Sequence, residues 1–138
     1  MPQPPTALIA LVIVVLTAGT AASQGANKAA QTVKGVMQTM TIPASDAIFS
    51  AASEPPKDGA QWVALRANAT TLAESGRLLT TTERAKNDAE WTRMARALVT
   101  EAEATFKAID AKDAEGLAQA GDSLYVACEA CHARYLEQ

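Results

Sequence analysis

The chain has two cysteines and one histidine, and all three fall in the segment Cys128-Glu129-Ala130-Cys131-His132. Cys-x-x-Cys-His is the attachment signature of c-type haem. Its spacing has a chemical reason. Two sulfurs must reach two vinyl groups on adjacent pyrrole rings, and an imidazole must rise under the iron from the next residue. On a helix, residues three and four apart share a face. Cys128, Cys131 and His132 would then all point at one flat ligand. The expected chemistry is two thioethers, from Cys128 and Cys131, with His132 as the proximal iron ligand. One haem c per chain is expected.

Other chemistries compete for the same residues. A redox-active dithiol usually sits at a helix N-terminus, where the helix dipole lowers the thiol pKa. Here the pair lies in the last turns of an expected helix, and no βαβ pattern surrounds it. Tetrahedral zinc needs about four ligands. The chain offers three soft ones, and Glu129 would point away from them. The plain alternative is two buried cysteines beside a chance histidine.

Four amphipathic helices are expected to position this motif. The first spans about 27–52, with Val33, Met37, Met40, Ala44, Ala47, Ile48 and Ala51 on one apolar stripe. Pro43 sits within it and predicts a kink or break. Ser53-Glu54-Pro55-Pro56-Lys57-Asp58 is a connector, and Asp58 with Gln61 resembles a capping box. The second helix runs to about 79, with Trp62, Leu65, Ala69, Leu72, Gly76 and Leu79 inward. Gly76 predicts close approach of another backbone or of a flat ligand. After a polar loop at 80–86, Asn87 with Glu90 gives a second cap signal. The third helix spans 88–109, with Trp91, Met94, Leu98, Ala102, Phe106 and Ile109 inward and Met94 read as core. Asp113 caps the fourth, whose stripe is Leu117, Gly121, Leu124, Cys128, Cys131 and Tyr135. Short loops between such helices predict an all-α, antiparallel up-down-up-down four-helix bundle. In that bundle we expect the middle and C-terminal half of the first helix to face the middle and N-terminal half of the fourth.

Composition agrees with a helical chain. Of 138 residues, 49 % are apolar and only 4 % aromatic, with alanine carrying much of the apolar share. Alanine loses no side-chain entropy in a helix. A core of small side chains gains little hydrophobic energy per residue, and a large apolar cofactor would offset that. The net charge of −3 is spread along the chain. There is no basic patch, so nucleic acid is not an expected partner.

Residues 1–23 read as an export signal. Residues 7–16 are apolar and 17–23 are small, as a signal peptidase requires. No Lys or Arg precedes Lys28, so an uncleaved anchor is the alternative. The apolar part is short for a membrane span. The expected mature domain is 24–138, in the periplasm, with no stable membrane span once the signal is removed.

The ending Cys128-Glu129-Ala130-Cys131-His132-Ala133-Arg134-Tyr135 resembles that of the cytochrome c′ family, exported four-helix bundles whose Cys-x-x-Cys-His lies in the last helix. The helix order is similar over the whole expected mature chain. Two positions differ from the common pattern. Lys34 stands where many members carry an Arg near the haem propionates, and Leu136 replaces a basic residue after the tyrosine. The resemblance implies that Cys128 and Cys131 hold the haem and that His132 is the fifth ligand. It also implies a split by sixth ligand. Low-spin members use a methionine of the first helix and carry electrons, whereas high-spin members bind nitric oxide or carbon monoxide. Met37 is the expected distal ligand and Met40 the alternative, against the plain reading of both as gap-filling core residues.

The expected function is one-electron transfer with redox partner proteins, with gas binding on the same fold as the alternative. A haem-free interaction bundle is a remoter one. No arrangement of nucleophile and base suggests an enzyme. By resemblance, two copies of such bundles often pair through their first two helices.

Overall fold

The computed structural model describes residues 1, 32–82, 85 and 87–136. The expected signal, the first residues of the expected first helix and part of the 80–86 loop lie outside the described residues. The described elements are all helical. Helix α1 runs through three consecutive segments: α-helical Val33–Val36, a π-helical stretch at Met37–Thr41, and α-helical Ile42–Ser53. Helices α2, α3 and α4 span Gly59–Leu79, Ala89–Ala111 and Ala114–Tyr135.

Each helix starts on a side chain that accepts a backbone N–H. Thr32 Oγ1 accepts from Gly35 at 3.0 Å, and Asp58 Oδ1 from Gln61 at 2.8 Å. Asp88 Oδ1 accepts from Trp91 at 2.9 Å, and Asp113 Oδ1 from Gly116 at 3.0 Å. Such caps satisfy donors that the first turn leaves orphaned, each worth about 1 kcal/mol. The cap of α3 is Asp88 rather than Asn87. A carboxylate also meets the positive end of the helix dipole, which an amide does not. Glu90, the expected capping partner of Asn87, instead pairs with Arg93 at 2.6 Å. Helix α3 ends at Lys112 in the left-handed region, φ 53°. There Asp113 N–H bonds back to Ala108 O at 2.8 Å, which turns the chain directly into α4.

Pro43 neither breaks nor ends α1. The chain instead takes a π turn just ahead of it, with Ile42 N–H donating to Met37 O. A proline ring clashes with the carbonyl four residues back and offers no N–H to it. Widening the preceding turn moves that carbonyl aside. The buried positions record the change. They fall at Gly35, Val36, Thr41, Ala44, Ser45, Ile48 and Ala51, so the interval across the π turn, from Val36 to Thr41, is five residues. One consequence corrects the expected stripe. Met37 still faces inward, but Met40 is rotated off and lines no part of the cleft described below.

Neighbouring helices run antiparallel. Between α2 and α3, Arg66 pairs with Asp110 at 2.7 Å, whereas Trp91 Nε1 donates to Leu79 O at 2.9 Å. Thr41 bonds Ser75 Oγ at 3.0 Å across α1 and α2. The Phe49 and Tyr125 rings meet edge-on at 6.4 Å across α1 and α4. The core is layered on Ile48, Leu72, Leu79, Leu117 and Leu124, all essentially buried. Alanines 44, 69, 73 and 102 fill the seams between them. Phe106, expected inward, is half-buried, and the Arg66 guanidinium stacks 4.9 Å from its ring centre.

Gly76 is where α2 and α3 touch. A Cβ there would lie 2.7 Å from Val99 Cγ2 and 3.2 Å from the Val99 backbone N. The glycine thus serves backbone approach, not a ligand. Gly76→Ala is expected to destabilise the protein despite a helix propensity gain of about 1 kcal/mol. Overpacking of a tight seam costs about 1–3 kcal/mol, so a net loss of about 1 kcal/mol should appear in urea unfolding midpoints.

Candidate functional site

Helix α4 leaves the core as it approaches its end. Leu117, Gly121 and Leu124 are buried, Cys128 and Cys131 are half-buried, and His132 is exposed. At its other end α4 sits tightly on α1, for a Cβ on Gly121 would come within 3.0 Å of Ala52 Cβ. Farther along, the space between α1 and α4 opens into a cleft floored by α3. It has two adjoining parts, which share Met37, Trp91, Cys131 and His132. Their cavity volumes are about 170 and 460 Å³. Small-molecule and cofactor sites occupy about 300–1,000 Å³, a range that only the second part reaches by itself.

All three motif residues therefore face one cavity, with Met37 of α1 opposite them. The expected pairing of helix halves holds, for Phe49 and Ala52 of α1 meet Tyr125 and Gly121 of α4. In antiparallel neighbours the start of one helix lies against the end of the other, so residue 37 meets residues 131 and 132. Met40 takes no part. Met94, read as core, is half-buried and lines the more enclosed part with Leu79, Ala95 and Leu98. Lys34 and Gln38 lie at the other end, beside Leu136.

Three aromatic wall residues complete the cavity. Trp91 was legible as inward. Its indole N–H is spent on Leu79 O, which leaves an apolar surface toward the cleft. Tyr125 and Phe49 are not identified as site residues by the sequence pattern. Tyr125 sits three positions before Cys128, so helical spacing alone could have placed it on the same face.

The electrostatics disfavour a reactive dithiol. Burial pushes the Cys128 thiol up, and the neighbouring Cys131 thiol adds to the rise. A catalytic or redox thiol needs the opposite shift. Among the described residues, no three side chains of the His, Cys, Asp and Glu type gather as a metal-ion cluster. The donor set and the apolar walls suit a flat, largely apolar macrocycle held by two sulfurs.

Behind the motif, Tyr135 Oη donates to Asp88 Oδ2 at 2.8 Å while Asp88 Oδ1 caps α3. The Asp88 carboxyl is held below its usual range by the Trp91 N–H first and the Tyr135 hydroxyl second. A group with a depressed folded pKa stabilises the fold above its unfolded pKa and loses that contribution as pH falls through the folded value. For Asp88 the loss is expected below about pH 4. Asp88→Ser keeps a cap but loses the carboxylate. Its stability deficit should be constant from pH 5 to 7 and shrink below pH 4, as read from urea midpoints along a pH series.

Comparison of the chain with family models, with curated proteins and with solved structures gives no match. Among the described residues no helix is long and apolar enough to cross a membrane.

Proposed function

We propose that the protein is an exported mono-haem c-type cytochrome that carries single electrons. The observation that carries this reading is the convergence of Cys128, Cys131 and His132 on one apolar cleft, with the Met37 thioether on the opposite wall. The resemblance of the ending to the cytochrome c′ family supports it, and so does the small-residue core that a large cofactor would complement.

When bound, the haem supplies the one-electron iron chemistry. The rest falls to the chain. Cys128 and Cys131 fix the group to one wall by thioethers, so it cannot dissociate. His132 offers its imidazole from the same helix face. Met37 offers a soft, neutral sulfur, which favours the reduced metal and raises the potential. Trp91, Leu79 and Leu98 would exclude water from the inner cleft, and Lys34 and Gln38 would give its outer end polar donors for acidic substituents.

The test is an optical redox titration of protein made in a host with haem-attachment machinery. One reversible single-electron step with low-spin spectra in both states is expected, with little response to carbon monoxide. A high-spin haem that takes up carbon monoxide readily would instead favour the gas-binding reading.

A further inference from the structure

His132 stands on the last turn of α4, which ends at Tyr135. Its carbonyl accepts the closing hydrogen bond, from Leu136 N–H at 2.9 Å. Terminal turns open at little free-energy cost, because few bonds and contacts hold them. An iron ligand placed there would wander unless something fixed the turn. The structure supplies that constraint from α3. Tyr135 Oη reaches Asp88 Oδ2 at 2.8 Å, and the same carboxylate caps α3 through Trp91 N–H. The Tyr135 ring meets Trp91 edge-on, with centroids 5.1 Å apart and planes at 75°. Trp91 is itself anchored to Leu79 O of α2. The Arg134 guanidinium lies 5.6 Å from the Tyr135 ring centre and adds to the same knot. Three helices are thus tied behind the turn that carries the ligand.

We propose that Asp88 and Tyr135 are positioning residues: their hydrogen bond latches the last turn of α4 to the first turn of α3 and so sets the ring direction of His132 toward the iron. This inference rests on the haem reading. The Tyr135 ring also lines the outer part of the cleft, but the role assigned here belongs to its hydroxyl, which is bonded to Asp88. The tyrosine acts through the backbone three residues before it, and the aspartate acts through the tyrosine.

The experiment uses the haem-bearing ferric protein. Tyr135→Phe removes the hydroxyl and keeps the ring. Asp88→Ser keeps a capping oxygen and removes the acceptor. Arg66→Ala, which breaks an exposed ion pair to Asp110, is the control for a general loss of stability. Two readouts are taken: amide hydrogen exchange, and the spread of the paramagnetically shifted haem methyl resonances, which follows the direction of the axial imidazole. Both latch variants should raise exchange in the last turn by about tenfold, as expected for one lost charge-assisted hydrogen bond. Both should also change the methyl pattern in the same way, with no further change in the double variant. The control should leave the pattern alone. A haem-bearing protein whose latch variants exchange faster yet keep the unmodified methyl pattern overturns this inference alone. A protein without attached haem overturns the haem reading and this inference with it.

Discussion

Replacing both Cys128 and Cys131 with serine is expected to abolish covalent haem retention altogether. A serine hydroxyl does not add to a vinyl group under the conditions in which a thiol does, so no bond can form at either position. The effect should be all-or-none in the denatured state, because only a covalent link survives loss of the cleft. Each single replacement should leave one thioether. Haem would then stay on the chain in reduced yield, and the α-band of the reduced protein should move to longer wavelength, since one vinyl group remains conjugated. The fold should survive in each case. Both cysteines are half-buried at the cleft and neither belongs to the fully buried core of Ile48, Leu72, Leu79, Leu117 and Leu124. The variants should still lose thermal stability, because a bound cofactor stabilises only the native state. Haem retention on a denaturing gel, by peroxidase stain, checks the series.

The second large effect is expected at Met37. Met37→Ala should convert a low-spin haem into a high-spin one that binds carbon monoxide, and remove the weak far-red charge-transfer band of methionine-ligated ferric iron. The loss of a soft sulfur donor should also lower the reduction potential, because that donor favours the ferrous state. Met37 is only half-buried, so the cost to the fold should stay near 1 kcal/mol, below the range for fully buried methionines. Met40→Ala is the matched control. Met40 lies within the π-helical stretch and lines no part of the cleft, so the spectrum of its variant should be that of the unmodified protein. Optical and electron paramagnetic resonance spectra of the two variants decide the assignment. A change at Met40 alone would place the ligand there, and no change at either would leave the sixth position to another group, Met94 of the cleft wall included.

How much of this was legible in the residues depends on the range of the interaction involved. Caps are local. Asp58 and Asp113 stand out because the carboxylate and its N–H partner are three residues apart. Asp88 was missed beside Asn87 because both can cap, and the choice turns on the dipole and on Tyr135. The inward stripes of α2 and most of α3 follow from period alone. The stripe of α1 does not, since Pro43 announces a disturbance without saying whether the helix kinks, breaks or takes a wide turn. The π turn that results is what separates Met37 from Met40. Gly76 was legible as a close approach, but only the facing Val99 shows that a helix, not a ligand, comes near. The motif itself was fully legible, because five consecutive residues carry its geometry. The part of the cleft wall made by Phe49 and Tyr125 was not, nor was the Asp88–Tyr135 bond. Those contacts join residues far apart in the chain, and only the packing of antiparallel helices brings them together.

The central claim is that this chain holds haem through its two cysteines, and intact-mass measurement tests it most directly. The protein should be made with haem-attachment machinery, denatured, extracted with acid acetone and then weighed. The account predicts a coloured polypeptide heavier than the bare processed chain by one haem, with the added mass mapping to the peptide that contains Cys128 and Cys131. A colourless polypeptide of unmodified mass, or haem that passes wholly into the acetone, would contradict it.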